Sequence, residues 1–452
     1  MKISKYTFVV AALVLWNCDD KLDIQPLNTV GASQAVSTSG DVEALMVGAF
    51  TGLGDNDVYG GNILRDADLI ADDGEISWDG TFVAPGEIWD KNMLITNGQA
   101  EETWIESYVA INRCNTVLAN LDKVTADKKN RVEGEAKFIR GTIYFELARI
   151  YGKTWVDGDP TQNLAVPIIL TPADANSVSE KVKRNTVAEV YAQAIADLQS
   201  AETLLPAKNG IFATTYSASA ILSRVYLMQN KYPEAVTAAN KVITQGGFAL
   251  AGTYADAFNE TSTGATSRSS NGYATSEDVF AVQVTNQAGI NELNTFYDPS
   301  TGRGDIPIED AHIDLYEAGD ERADFFQTSG GIRYTRKYEN PFANISIVRL
   351  AEMYLTRAEG NLRAGTTKGA TPLSDVNRIR NRAGLDDLLT VTVDQVLMER
   401  KLELAFEGHL IHDLKRTKRS VGALPFSSPN LVFPIPQRET ILNDQLEQNE
   451  GY

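Results

Sequence analysis

Five aromatic side chains lie in two long stretches without helical periodicity, residues 55–97 and 261–303. They are Trp78, Phe82, Trp89, Phe296 and Tyr297. The flat face of such a ring can stack on the apolar C–H face of a pyranose, with Asn or Asp nearby for the hydroxyls. The alternative is that each ring pins its loop to the scaffold. Since long loops in compact proteins are usually functional, we take these five as candidate ligand-binding residues.

An acidic cluster shares the first of these stretches. Its members are Asp66, Asp68, Asp72, Asp73 and Glu75. Oxygen ligands of this kind suit calcium, but the spacing matches no EF-hand loop. Paired carboxylates also serve glycoside hydrolysis, although adjacency means little in a chain with 60 acidic residues. The sequence therefore leaves calcium open as a cofactor and predicts no metal site or catalytic pair, because most acid-rich loops are simply solvated.

Two of the three histidines stand three residues apart, at His409 and His412, with Asp413 next to them. Helical spacing would place both imidazoles on one face, as a metal site needs. Gly408 precedes them and no H-E-x-x-H occurs, so packing is the favoured interpretation. Because the chain also lacks a G-x-S-x-G elbow, a P-loop and a G-x-G-x-x-G, we predict that it is not an enzyme.

The N-terminal residues predict export and lipidation. Lys2 and Lys5 precede an apolar stretch, Tyr6–Trp16, that is too short to span a bilayer and is typical of a signal peptide. Cys18 follows at the end of this stretch, with Leu15 three residues earlier, a spacing that resembles a bacterial lipobox. We expect residues 1–17 to be removed, Cys18 to be lipidated and residues 18–40 to form a tether; the alternative is an ordinary signal peptide with a chance cysteine.

Composition excludes several classes of protein. The chain has 452 residues, 43% hydrophobic and 22% charged, as in ordinary globular proteins. Its 41 basic residues against 60 acidic ones give a net charge of -19, which opposes binding to nucleic acid, polyanions and anionic lipid surfaces. Two cysteines cannot form a disulfide framework or a structural zinc site. Arg303-Gly-Asp305 is interpreted as a turn.

Periodicity predicts a mainly helical scaffold with long irregular loops and minor β structure. Helices are expected at 42–50, 104–118, 133–151, 187–205 and 396–407. Thr186 with Glu189, and Thr392 with Gln395, have the spacing of capping boxes. Short strands are expected at 279–285 and 331–338.

A spacing of a small residue followed three positions later by tyrosine occurs three times. The pairs are Gly141 with Tyr144, Ser223 with Tyr226, and Ala351 with Tyr354. After the second pair the pattern continues through Tyr232, Ala235 and Ala239. This resembles tetratricopeptide helix pairs, in which small residues let two helices approach closely. The alternative is coincidental packing of alanine-rich helices.

Taken in chain order, these and other segments resemble the SusD/RagB family of nutrient-binding outer-membrane lipoproteins. The matching segments are Cys18-Asp-Asp-Lys-Leu-Asp-Ile-Gln-Pro26, Asp68-Leu-Ile-Ala-Asp-Asp73, Trp104 to Asn115, Gly134 to Gly152, Arg349 to Glu359, Val376 to Gly384, Glu399 to Gly408, His412 to Arg416 and Pro434 to Tyr452. Each motif is weak alone, but their order covers nearly the whole chain. His409 and Thr417 depart from the family pattern in the scaffold.

The resemblance implies a tetratricopeptide-like helical-repeat domain over 41–452, with ligand-binding loops around 55–97 and 261–303. It implies a surface-exposed lipoprotein of the outer membrane that binds an oligosaccharide and delivers it to a SusC-like TonB-dependent transporter. Two alternatives stay open: peptide capture on the same scaffold, or a non-catalytic helical-repeat protein for assembly or adhesion.

Overall fold

A computed structural model describes residues 36–173, 181–258, 275–284 and 290–452. Cys18, the segment 1–17, most of the 18–40 tether and parts of 261–303 lie outside these residues. Eight helices make up the first half of the described chain. They are α1 (Ser39–Leu53), α2 (Asn62–Ala71), α3 (Val83–Trp89), α4 (Gly98–Ala119), α5 (Ala126–Tyr151), α6 (Val187–Leu204), α7 (Thr215–Met228) and α8 (Tyr232–Gln245).

Shorter elements dominate the second half. They are β1 (Asp278–Val282), α9 (Glu292–Tyr297), α10 (Asp310–Ile313), β2 (Phe326–Ser329), β3 (Ile332–Thr335), β4 (Ile345–Arg349), α11 (Leu350–Ala364), α12 (Pro372–Arg382), α13 (Val393–Glu403), α14 (Leu410–Arg416) and α15 (Gln437–Leu442). Of these, α11 packs against α7 and α8, α12 and α13 pack against α11, and α14 packs against α2, which completes the helical scaffold. The predicted mainly helical fold is therefore confirmed.

Helices that follow one another along the chain pack side by side, as in helical repeats. Gly141 lies where α5 meets α6, and a Cβ there would come within 2.9 Å of the Ala194 carbonyl oxygen. Gly360 of α11 lies against α8 in the same way, because a Cβ would come within 2.5 Å of Val236 Cγ2. Ser223 and Ala351 are also buried. Of the small residues that suggested a repeat, Gly141 and Ser223 thus lie where two helices meet, and Ala351 is buried.

Two antiparallel strand pairs accompany the helices. β1 pairs with β4, and β2 pairs with β3 as a hairpin. The hairpin turn consists of Gly330 and Gly331, whose φ angles are 60° and 86°. Positive φ at both central residues is what a two-residue turn of type I′ requires, and glycine adopts it without steric cost.

The predicted loop 55–97 is wrong over part of its length, since α2 and α3 lie within it. Every residue of α2 is buried, including Arg65, Asp66 and Asp68. A helix that is covered on all sides shows no polar face, so its sequence lacks the periodicity that predicts a surface helix. α3 contains a proline and a glycine, which have low helix propensity, so its sequence did not predict a helix.

Boundaries of the other helices differ modestly from expectation. Both predicted capping boxes are present, at the starts of α6 and α13. α5 begins seven residues before the predicted 133, in a polar stretch. α13 ends at Glu403 rather than at 407, because the chain turns at Phe406, where φ is 62°.

Buried ion pairs join distant parts of the scaffold. Arg349, at the end of β4, is 1% exposed and donates to the carboxylates of Glu277, Glu403 and Glu407. It thereby connects the strand pair to α13 and to the turn that follows it. Removing one partner of such a pair leaves an uncompensated buried charge, at a cost of about 3–5 kcal/mol.

Candidate functional site

Three of the five candidate aromatics form one cluster, which we call the aromatic platform: Trp78, Phe82 and Phe296. The ring centroid of Phe296 lies 6.0 Å from that of Trp78 and 6.3 Å from that of Phe82. Phe296 is buried, Trp78 is half-buried and Phe82 is 49% exposed. The platform therefore offers the surface one open ring and part of a second, with the third ring beneath them.

Backbone pairing places Trp78 at this site. The Ser77 amide donates to the Pro307 carbonyl at 3.1 Å, and the Asp79 amide donates to the Asp305 carbonyl at 2.9 Å. Gly80 lies against the indole, where a Cβ would come within 2.4 Å of Trp78 Cζ2. A larger residue at position 80 would thus displace the ring.

Arg65 supports the platform from below. Its guanidinium carbon lies 4.3 Å from the centroid of Phe296, close enough for a cation–π interaction. Arg65 is 1% exposed and is fixed by Asp66, the Asn62 side-chain oxygen and Gln99. The position of Phe296 is therefore set by a buried cation on α2.

Arg303 borders the platform at the surface. Its guanidinium carbon lies 4.4 Å from the Phe82 centroid. Nε donates to Asp305 Oδ2 at 2.6 Å and Nη2 donates to Thr81 Oγ1 at 3.1 Å. The side chain is 38% exposed, and Nη1 donates to no described residue. The sequence analysis interpreted Arg303-Gly-Asp305 as a turn. It did not predict that the Arg303 guanidinium would lie beside the ring of Phe82.

The other two candidate aromatics have partners of their own. Trp89 is half-buried, and its indole N–H donates to Asp72 Oδ2 at 2.9 Å. Tyr297 is fully buried, and its hydroxyl donates to Asp68 Oδ2 at 3.0 Å. Tyr297 thus has no face at the surface, as expected of a ring that pins its segment to the scaffold.

The acidic cluster is dispersed among separate partners. Asp66 pairs with Arg65, and Asp68 accepts from Tyr297 and from the Gly408 amide. Asp72 accepts from the amides of residues 74–76, and Glu75 contacts Lys401 and His312. No group of three or more metal-ligating side chains converges within the described residues.

Burial governs the titration of the histidines. For His409 and His412, burial and nearby cations such as Arg149 hold the pKa well below its usual value. Burial also lowers the pKa of His312, which lies 2.9 Å from Glu75 Oε2 and 3.1 Å from the Tyr316 hydroxyl. The lowered pKa values favour the neutral form of these imidazoles at pH 7.

A concave surface lies beside the platform. This cleft, which we call the polar cleft, has a volume of about 470 Å³. It is lined by Ser77, Asp79, Pro307, Ile308, Glu309, Asp310, Thr328, Gly331, Ile332 and Arg333. Its volume is within the range of small-molecule sites.

Comparison with known proteins points to one family. A family model described as starch-binding and associating with the outer membrane matches residues 33–227, and a model of the SusD family matches residues 325–424. A SusD-like protein, P2, from Formosa agariphila is 25% identical over the full length of both chains. The starch-binding protein SusD of Bacteroides thetaiotaomicron is 32% identical over 126 residues, which are 25% of this chain and 22% of that protein.

Solved structures share the architecture. A putative sugar-binding protein from Bacteroides vulgatus matches with a TM-score of 0.82 and 26% identity, over 92% of this chain and 99% of the other. A laminarin-binding SusD-like protein matches with a TM-score of 0.75 and 22% identity, over 92% of this chain and 100% of the other. Among the residues described here, no helix has the length and apolar character to cross a bilayer.

Proposed function

Because this chain belongs to the SusD/RagB family, whose members bind carbohydrate in association with the outer membrane and are not catalytic, we propose that it captures an extracellular oligosaccharide. In this proposal it is a surface-exposed lipoprotein that passes the glycan to a SusC-like TonB-dependent transporter. The observation that carries the proposal is the aromatic platform, where Phe82 and Trp78 present ring surface over the buried Phe296.

The platform suits a sugar for physical reasons. An aromatic ring buries the apolar face of a pyranose with few rotatable bonds to immobilise. Arg303 adds a donor for hydroxyl groups next to Phe82. Starch and laminarin, the ligands named for two similar proteins, are suitable first probes.

Two alanine variants test the platform directly. We expect Trp78→Ala and Phe82→Ala each to weaken glycan binding by roughly tenfold to a hundredfold, the equivalent of about 1–3 kcal/mol for a stacking anchor. The measurement is calorimetry with amylopectin, laminarin, anionic glycans and peptides. Phe426→Ala is a matched control, since that half-buried ring lies under Lys418 instead.

The outcomes separate the competing functions. Binding of a glycan that both platform variants lose supports capture at this site. Binding of peptides alone supports the peptide alternative, whereas wild-type affinity in both variants would contradict the platform. A wild-type protein that binds nothing in the panel would favour an assembly or adhesion role.

A further inference from the structure

The polar cleft is built on the same segment that carries Trp78. Residues 75–79 pair with 305–309, as the Glu309 amide donates to the Glu75 carbonyl at 3.0 Å and Ile76 bridges Ile308. The Ile308 amide in turn donates to the Arg333 carbonyl of β3 at 2.8 Å. With β2 paired to β3, four extended segments lie side by side. We call this arrangement the ribbon.

Alternation along the ribbon separates two surfaces. Successive side chains of an extended segment point to opposite faces. Ser77 and Asp79 line the cleft, whereas the ring of Trp78 between them packs against Phe296 in the platform. Thr328 and Arg333, which are opposite each other in the β2–β3 register, line the cleft as well. At residues 77–79 the platform and the cleft therefore lie on opposite sides of the backbone.

The cleft is polar, and much of its hydrogen-bonding capacity is free. The side chains of Ser77, Asp79, Thr328 and Glu309 make no hydrogen bond to another described residue, although each lines the cavity. Arg333 is paired, since its Nη1 lies 2.7 Å from Asp310 Oδ1. Hydroxyls and carboxylates in one concavity can accept from and donate to the hydroxyl groups of a sugar.

Charge in the cleft is predominantly negative. Asp79, Glu309 and Asp310 are exposed carboxylates, and Arg333 is the one cation among the lining residues. The chain as a whole carries a net charge of -19, so the local and the long-range fields have the same sign. Both oppose a ligand that carries carboxylate or sulfate groups.

From the shape, the free polar groups and the charge, we infer that the polar cleft is a second carbohydrate subsite, which binds the hydroxyl groups of an uncharged glycan and rejects polyanionic ones. This inference rests on the proposed function, since it assigns a ligand class to the same region. The platform supplies apolar stacking on one side of residues 77–79. The cleft supplies hydrogen bonds and charge selection on the other.

The test compares cleft variants with platform variants on defined probes. The double variant Asp79→Ala/Glu309→Ala should bind laminarin or amylopectin roughly tenfold more weakly, because two charged acceptors are lost. The double variant Asp79→Lys/Glu309→Lys should gain binding to polygalacturonate, which the wild type should not bind. The double variant Glu234→Lys/Asp387→Lys, at two exposed acids elsewhere, makes the same change in net charge and is the control.

Each result decides the inference. Weaker neutral-glycan binding, together with polygalacturonate binding in the lysine variant only, supports it, provided the melting temperatures are unchanged. If both cleft variants bind like the wild type while Trp78→Ala loses binding, the second subsite is wrong and the proposed function stands. If the wild type binds no glycan, both fail. Tight binding of polygalacturonate by the wild type would overturn the charge selection.

Discussion

Asp68 shows how burial changes the chemistry of one carboxyl group. It is 7% exposed and accepts from the Tyr297 hydroxyl and the Gly408 amide, each at 3.0 Å. Burial nevertheless raises the pKa of Asp68 to about 7, because desolvation of the charge outweighs these two bonds. Asp68, a member of the acidic cluster in the sequence, thus links α2 to α9 and to the turn before α14.

The raised pKa gives a pH-dependent prediction for Asp68→Asn. Below about pH 4 the carboxyl is protonated in both the folded and the unfolded chain. Between about pH 4 and pH 7 it ionises in the unfolded chain only, so the stability of the wild type falls as pH rises through this range. An amide mimics the neutral acid, so the variant should gain stability relative to wild type between pH 5 and pH 8. Thermal unfolding at both pH values measures this. An equal loss of stability at pH 5 and pH 8 would contradict the assignment, and Asp387→Asn, at an exposed site, is the control.

Arg303 gives a second prediction at this scale. Replacement by Gln keeps a donor but removes the charge that lies on Phe82. We expect about threefold to tenfold weaker glycan binding, equivalent to about 0.5–1.5 kcal/mol, with little change in melting temperature since the side chain is partly exposed. Calorimetry alongside Phe82→Ala measures it. A Gln variant with wild-type affinity would restrict the role of Arg303 to the turn.

Among the elements, the features that could be predicted are those encoded by residues close together in the sequence. The capping boxes before α6 and α13 were predicted because they consist of residues three positions apart. The platform could not be predicted in this way, because Phe296 contacts Trp78 although the two are more than 200 residues apart in the sequence. No local pattern encodes that contact. The candidates therefore included all three platform rings along with Trp89 and Tyr297, which donate to the buried carboxylates of Asp72 and Asp68. Arg65 was missed because its helix is fully buried.

The contact between α8 and α11 gives a prediction at the scale of elements. Ala235 is fully buried on α8, next to the helix face that meets Gly360 of α11. Ala235→Trp should therefore destabilise the fold by on the order of 1–3 kcal/mol or more, because an indole cannot fit without moving a helix. Glu234→Trp places the same side chain one residue earlier at an exposed position, and it should melt like wild type. Equal melting temperatures for the two variants would argue against close packing at this helix pair.

At the scale of the whole molecule, charge and anchoring act together. If cleavage before Cys18 occurs as predicted, it removes two lysines from a net charge of -19 and leaves -21. That charge opposes adsorption to anionic lipid, so we expect membrane association to depend on a specific anchor. Among the described residues no helix can span a bilayer. The N-terminal pattern ending at Cys18 is the feature of the sequence that predicts an anchor.

We therefore predict that Cys18→Ala moves the protein from the membrane fraction to the soluble fraction. Acyl chains contribute about 0.8 kcal/mol per buried CH₂, and one cysteine carries them, so losing its sulfur removes the membrane affinity. Fractionation should be done in cells that lack the transporter, so that a protein partner cannot retain the variant. Cys114→Ala is the matched control, because the other cysteine of the chain is buried in α4 and its thiol is shielded from modification. A Cys18→Ala protein that still sediments with membranes would refute the lipoprotein assignment, while leaving the aromatic platform and its glycan binding to be judged on their own variants.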